Sequence, residues 1–325
     1  MTPDFRVVAE TTDITEVIRE RLLSLRVVDE AGWQSDTLEI KLDDRSWPIE
    51  LPRHGAQLIV HLGYKQQGLT RMGVYTVDEV SLEGPPDTLT IRARAANFRK
   101  SLKEQKTRGW DGITLGDIVT TIAKEHDLEP VISETLKEKL IQRIDQTDES
   151  DLHFLTRLAK EHGAISKPIE NRLLFVPRGE ARTASQQPMQ EVNLSKLDLT
   201  RYTFSLADRG KYEAVIAHWH DSQTGNTQPV KVGDKEARPI FTLKGLQPDA
   251  DAAQNAAKAK LEALRRGQAT GSLSLPGQPV ITAETRLNLS GIKKTINGHW
   301  IVTRAEHELG QQGLNTRLNI ETPNP

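Results

Sequence analysis

Three carboxylates, Asp148, Glu149 and Asp151, crowd together in the stretch Gln142 to Gly163, QRIDQTDESDLHFLTRLAKEHG. Carboxylates this close can divide the work of general acid and general base. They are also what the first turn of a helix favours, through capping and the helix dipole, so their clustering needs no catalytic demand. A second group is His218 and His220, which flank Trp219 and precede Asp221. Strand alternation puts both imidazoles on one face, where they could hold zinc or another transition metal. A zinc site normally takes at least three protein ligands, so a hydrogen-bonded or solvent-facing pair accounts for them better. His299 and His307 belong to another hairpin, and the sequence does not place them near the first pair. There is no Walker sequence, no G-x-G-x-x-G after a strand, no H-E-x-x-H and no G-x-S-x-G. Gly267 to Gly277, GQATGSLSLPG, fits none of the phosphate loops and reads as a turn joining a helix to a strand. No catalytic, cofactor-binding or metal-binding residue is assigned.

The acidic trio sits in the best-specified segment of the chain. Within Gln142 to Gly163 the pattern predicts a helix with Thr147 or Asp148 as its cap and the carboxylates at its positive end. Leu152, Leu155, Leu158 and Ala159 recur at helical spacing with Phe154 beside them, so one face must pack. Lys160 and His162 fill the last turn, and Gly163 can end it in the left-handed conformation.

The chain has 325 residues, 36% hydrophobic and 27% charged, enough for two or three domains with cores. Lys plus Arg number 43 against 45 Asp plus Glu, a net charge of -2, which argues against wholesale binding to nucleic acid or an anionic membrane. Aromatics are 5%, too few for a base-stacking surface. The absence of cysteine excludes disulfides, thiolate zinc sites and a cysteine nucleophile. The start, MTPDFRVVAETTD, is unlike a secretory signal, and no run is long enough to span a bilayer. The expectation is a soluble product made in the cytoplasm, able to leave the cell inside a larger particle.

From Asp4 to Ala95 the pattern is extended, with strands at Asp4–Ala9, Ser24–Val28, Thr37–Leu42 and Gln57–Leu62, and an ambiguous Ile14–Leu23 that could be a short helix. A hairpin runs from Gly73 to Ala95 through the turn Gly84, Pro85, Pro86, Asp87. Short strands at this spacing suggest a barrel or a sandwich. Asn97 to Trp110 reads as a basic connection. Thr114 to His126 is a helix with a capping box formed by Thr114 and Asp117, and its ending, Ala-Lys-Glu-His, recurs at Ala159 to His162. Thr135–Leu140 could be a third helix and Arg172–Val176 a strand. After a polar linker, Arg182–Gln190, strands resume at Leu199–Leu206, Tyr212–His220 and Gln228–Val232. Asp249 to Arg266 is an Ala-rich helix capped by Asp249 or Asp251 and stopped by Gly267, with a narrow apolar face of Ala257, Leu261 and Leu264 suited to a surface. The final hairpin, Gly298 to Ile320, follows a strand at Arg286–Leu289 ahead of Gly291. It resembles the first: Gly73, Tyr75, Val77 and Val80 align without gaps with Gly298, Trp300, Val302 and Ala305, which points to duplication of one β-barrel plan. The fold class is α+β, mainly β, with domains at 1–100, 101–180 and 181–325, the last carrying the helix at 249–266.

Gly73 to Ala96, Thr114 to Leu128, Gln146 to Gly163, Tyr212 to Gly225 and Ile296 to Leu318, taken in order, resemble the phage late control gene D family. These are baseplate hub proteins of contractile tails in myoviruses and R-type bacteriocins, similar also to the hub portion of type VI secretion spike proteins. The resemblance implies two tail-tube-like β-barrel domains with an α/β insert, assembled as a homotrimer. Six barrels in a ring would let a sixfold tail tube end on a threefold central spike, with the insert free to contact other baseplate proteins. The implied function is structural, a non-enzymatic adaptor in a phage tail or a released bacteriocin particle, with no cofactor and no direct sequence-specific nucleic-acid binding. Thr114 to Leu128 also resembles the opening of a LysM-type module, so the alternative is a peptidoglycan-binding or peptidoglycan-degrading tail protein acting through the 101–180 insert.

Overall fold

The computed structural model describes residues 1–32, 35–46, 49–95, 100–169, 171–178, 191–206, 212–221, 224–234, 236, 238–265 and 269–323. The expected linker Arg182–Gln190 and the helix stop Gly267 lie outside these. In chain order come β1 (Pro3–Ala9), β2 (Thr12–Asp13), α1 (Thr15–Arg19), β3 (Leu22–Glu30), β4 (Thr37–Asp43), β5 (Gln57–Tyr64), β6 (Gly68–Glu83) and β7 (Thr88–Ala95). A mixed stretch follows: β8 (Gln105–Thr114), α2 (Leu115–Glu125), β9 (Glu129–Ile132), α3 (Glu134–Lys137), β10 (Leu140–Ser150), α4 (Asp151–Glu161), β11 (Ala164–Ile169) and β12 (Arg172–Pro177). The last part holds β13 (Val192–Ser195), β14 (Arg201–Leu206), β15 (Ala214–Asp221), β16 (Asn226–Gly233), β17 (Ile240–Gln247), α5 (Ala250–Arg265), β18 (Ala269–Pro276), β19 (Arg286–Ser290), β20 (Gly298–Gly310) and β21 (Gly313–Glu321). The chain is mainly β, as its alternating patterns predict.

Two compact units emerge, each assembled from separate stretches of chain. One comprises Met1–Phe98, Met189–Thr203 and Gly271–Ile320; the other comprises Arg99–Pro188, Phe204–Thr270 and Glu321–Pro325.

The first unit is built on one long sheet ordered β14-β18-β21-β20-β3-β4-β7-β6-β5-β1-β2, with β13 joined to β19 and β19 to β20 off that path. Two six-strand sets are visible in it, β3-β4-β7-β6-β5-β1 and β14-β18-β21-β20-β19-β13. Their members occur in the same spatial order and the same chain order. Registers match as well: Tyr75 lies opposite Leu58 and Gly73 opposite Val60, while Trp300 lies opposite Leu287 and Gly298 opposite Leu289. Both glycines have the positive φ that favours glycine, 144° and 119°. Two residues on, each buried aromatic donates to a preceding carbonyl, Tyr75 Oη to Met72 O at 3.1 Å and Trp300 Nε1 to Ile296 O at 2.8 Å. Gly55 and Ala56 exchange backbone bonds with Val77 just as Glu284 and Thr285 do with Val302. One difference is that β1 runs antiparallel to β5 but β13 runs parallel to β19. Inward-facing Val7, Leu25, Val27, Ile40, Leu62 and Val77 fill the core of the first set.

In the second unit, β8 and β10 pair antiparallel, β12 lies between antiparallel β11 and parallel β9, and β15 lies between antiparallel β16 and parallel β17. The repeated Ala-Lys-Glu-His ending marks a local repeat: β8 runs directly into α2 and β10 directly into α4, each helix capped by its strand's last residue. Thr114 accepts from the Asp117 amide at 3.1 Å and Ser150 from the His153 amide at 3.2 Å.

Several expectations need correction. The helix expected within Gln142–Gly163 and capped by Thr147 or Asp148 begins only at Asp151, because residues up to Ser150 are held in β10 by pairing with β8. A bulge between Gln146 and Glu149, with Asp148 at φ 47°, turns the chain into the helix. The basic connection expected from Asn97 to Trp110 is strand from Gln105 onward, in β8, and the turn expected over Gly267–Gly277 is strand β18 from Ala269 to Pro276. Helix α5 is more than a surface element. Ala253, Ala257 and Leu261 are buried against Val215 and Ala217 of β15, and Asp249 caps it by accepting from the Ala252 amide at 2.7 Å.

Candidate functional site

The densest group of chemically capable side chains lies in the second unit around Asp151, whose side chain is fully buried. Alternation on β8 directs Lys106 and Arg108 the same way, α2 ends with Glu125 and His126, β10 supplies Gln146, and α4 opens with Asp151. Lys106 Nζ donates to Asp151 Oδ2 at 2.6 Å and Arg108 Nη2 to Oδ1 at 2.7 Å. His126 Nε2 donates to Oδ2 at 2.8 Å and Gln146 Nε2 to Oδ1 at 2.9 Å. The same two cations reach Glu125, at 2.8 Å from Lys106 and 2.6 Å from Arg108. Two carboxylates therefore face two cations, and each oxygen of Asp151 accepts twice, which fills its lone pairs.

Burial pushes the Asp151 carboxyl up, but the hydrogen bonds from Lys106, Gln146 and His126 and the Arg108 charge outweigh it and hold it below the usual carboxylate range. Glu125 is held down in the same way, burial being overcome by Arg108 and Lys106. Arg108 also lies 4.5 Å over the Trp110 ring, which stacks on Phe154 at 6.2 Å, and Arg157 lies 5.2 Å over that Phe154 ring.

Glu125, His126 and Asp151 are the one group of three ligand-type side chains brought together among the described residues. The donor set does not suit a cation, because Lys106 and Arg108 already occupy the carboxylate oxygens. An Asp151 held ionised is a poor general acid, and its saturated oxygens leave no lone pair for a general base. What the arrangement can do is clamp β8, α2, β10 and α4 together.

The acidic trio itself is dispersed. Asp148 is exposed and exchanges bonds with Thr107 at 3.1 and 3.2 Å, and Glu149 binds Arg157 at 2.7 Å and His153 at 2.7 Å. His218 and His220 lie on β15 as expected, opposite Pro229 and Thr227. His299 meets Glu191 at 2.7 Å on the surface. Sequence reasoning missed Lys106, Arg108, Glu125, His126 and Gln146; the one available signal was the alternation Lys106, Arg108, Trp110 on a run read as a connection.

His307 is fully buried in β20. Its Nε2 donates to Ile281 O at 3.0 Å and its Nδ1 accepts from Thr316 Oγ1 at 2.9 Å, which uses the one donor and one acceptor of a neutral ring. Burial lowers its pKa to about 4. With an unfolded value near 6.5, the unfolded chain binds the extra proton first, so this contribution to stability is full above about pH 6.5 and is lost as pH falls toward 4. Between pH 7 and pH 5 the loss is about 2 kcal/mol. Urea unfolding at the two pH values should show His307→Gln with a correspondingly smaller pH dependence; an unchanged dependence would mean the ring is not held neutral.

The fold is that of phage tail proteins. It is similar to the 43 kDa tail protein of prophage MuSo2 from Shewanella oneidensis, with a TM-score of 0.73 over 99% of each chain at 13% identity. It is similar also to the E. coli c3393 protein, described as a type VI secretion component with structural similarity to the T4 tail proteins gp27 and gp5, at a TM-score of 0.60 and 10% identity over 100% of this chain and 77% of that one. The chain belongs to the phage tail baseplate hub (GPD) family, whose model matches residues 59–313. It is 34% identical over 362 aligned positions to the probable baseplate hub protein of Escherichia phage 186, covering 99% of this chain and 93% of that protein. Its function is structural, that of a baseplate hub in a contractile tail. No helix among the described residues is long and apolar enough to cross a membrane.

Proposed function

We propose that the hub works as a homotrimeric adaptor joining the sixfold tail tube to the threefold central spike, with the mixed stretch turned toward other baseplate proteins. The observation that carries this reading is the pair of six-strand sets in one chain, matched in order, register and glycine conformation. Each set corresponds to one tail-tube-like β-barrel, and three chains supply six. In this reading the domains are 1–100, 101–180 and 181–325, and the protein is made in the cytoplasm before it joins the tail. The hub has no catalytic role: Asp151 and Glu125 act as ion-pair partners, and no cofactor is required.

Light scattering tests the assembly. Three chains of 36.3 kDa give about 109 kDa, the mass expected for the purified protein alone or with its spike. A mass that stays at one chain even with the spike present would sink the trimer. Sedimentation with purified cell-wall sacculi tests the non-catalytic assignment, since an adaptor stays in the supernatant and releases no muropeptides.

A further inference from the structure

In the second unit, β10 has β8 on one side and no strand on the other among the described residues. Lys139 O accepts from the Leu115 amide at 2.8 Å, so residues 139 and 115 form a bonded pair. Bonded and non-bonded pairs alternate along an antiparallel ladder, which makes Ile141, Arg143 and Asp145 the residues bonded to β8. The amides and carbonyls of Leu140, Gln142 and Ile144 therefore point away from it. None of them bonds to another backbone group among the described residues.

This edge forms one wall of a cleft of about 390 Å³ inside the same unit. All of Leu140–Asp145 lines it, as a strand does when it presents its edge and not one face. The other walls are the last turns of α4 and the first turns of α5, where Leu158, Ala252 and Ala256 supply apolar contact. Walled by two helices, the edge admits a single extended segment and not the rim of another sheet. Charge selects that segment. Asp145, Glu161, Asp249 and Asp251 line the cleft against two cations, Arg143 and Arg157. Both cations are already engaged, Arg157 with Glu149 at 2.7 Å and Asp145 O at 2.9 Å, and Arg143 with Asp111 at 3.8 Å and Asp145 at 3.7 Å. Asp145 and Asp251 are exposed, and Leu140, in the same cleft, is 57% exposed. Surplus negative charge, apolar wall and unpaired backbone thus occur together.

We infer that the cleft takes an extended segment of another protein in which apolar and basic residues alternate, added to β10 as a third strand beside β8. The outward groups of Leu140, Gln142 and Ile144 supply its main-chain bonds. The alternation matches that of β10, which carries Leu140 and Ile144 on one face and Asp145 on the other. The inference goes beyond the adaptor reading. Every residue it uses lies in one unit of one chain, so it holds or fails whatever the number of copies.

Peptide arrays probed with the full chain test it. Peptides of about eight residues, the length of an ordinary strand, are laid down in three sets: apolar residues alternating with Lys or Arg, apolar residues alternating with Asp or Glu, and overlapping pieces of this chain's own sequence. The first set should capture the protein and the second should not. For the best binder, methylating alternate backbone nitrogens should weaken capture about tenfold, because main-chain bonds are lost while the side chains stay. Asp145→Lys combined with Asp251→Lys, both at exposed positions, should weaken it about tenfold as well. Hydrogen exchange at the Leu140, Gln142 and Ile144 amides should slow on binding. No capture by the first set, capture indifferent to the sign of the charge, or binding that leaves those three amides exchanging as before would overturn the site. Capture by this chain's own pieces in place of the first set would make the occupant a second copy and overturn the partner named here.

Discussion

Trp300→Ala lowers the unfolding free energy by about 3–5 kcal/mol, the range for truncating a large buried aromatic. Trp300 is 3% exposed, lies opposite the fully buried Leu287, and donates its indole N–H to Ile296 O at 2.8 Å. Alanine both opens a cavity in the second set and leaves that carbonyl without its donor. Trp300→Phe keeps most of the volume and loses the donor, at a cost of about 1–3 kcal/mol. Tyr75→Phe removes the corresponding bond from the first set, to Met72 O at 3.1 Å, and should cost about 1 kcal/mol. Urea unfolding followed by circular dichroism reads all three. If Trp300→Ala cost under about 1 kcal/mol, the second set would not be a packed core.

Asp151→Ala carries the second large effect, a loss of about 3–5 kcal/mol. Lys106 and Arg108 would keep Glu125 but lose the buried carboxylate between them, and the His126 and Gln146 donors would be stranded with it. Asp148→Ala, only three residues away in sequence, should cost about 1 kcal/mol, because that side chain is exposed and holds one bond from Thr107, while its φ of 47° is tolerated better by Asp than by Ala. Thermal melts of the two variants make the comparison. Equal effects would mean that the Asp151 network is not the clamp its geometry describes.

The hairpins β6–β7 and β20–β21 were legible because each has one buried face, so their apolar residues alternate. The duplication was legible for a related reason: the alternation lets Gly73, Tyr75, Val77 and Val80 align without gaps with Gly298, Trp300, Val302 and Ala305, and in the fold both glycines take a positive φ. β8 and β10 were hidden. They form a two-stranded sheet whose residues are mostly polar, and the bulge before Glu149 breaks the alternation. The start of α4 was misplaced because Thr147, Asp148 and Ser150 are all competent caps, and the choice among them is made by the partner strand. The clamp had one faint local signature, the alternation of Lys106, Arg108 and Trp110. Arg108 and Asp151 are far apart in sequence and adjacent only once β8 and α4 are placed, so the acidic trio drew attention while its cations read as a basic connection.

The matched sets also show where this scaffold accepts new material. Between β3, which ends at Glu30, and β4, which begins at Thr37, six residues intervene. At the corresponding place between β14 and β18 it carries β15, β16, β17 and α5, a sheet with its own helix and its own apolar core. The same crossing of the same two strands thus accommodates both a six-residue connection and an entire folded module. For an engineer this makes the 31–36 connection the natural attachment point by analogy with its twin, the place to graft a receptor-binding or reporter domain.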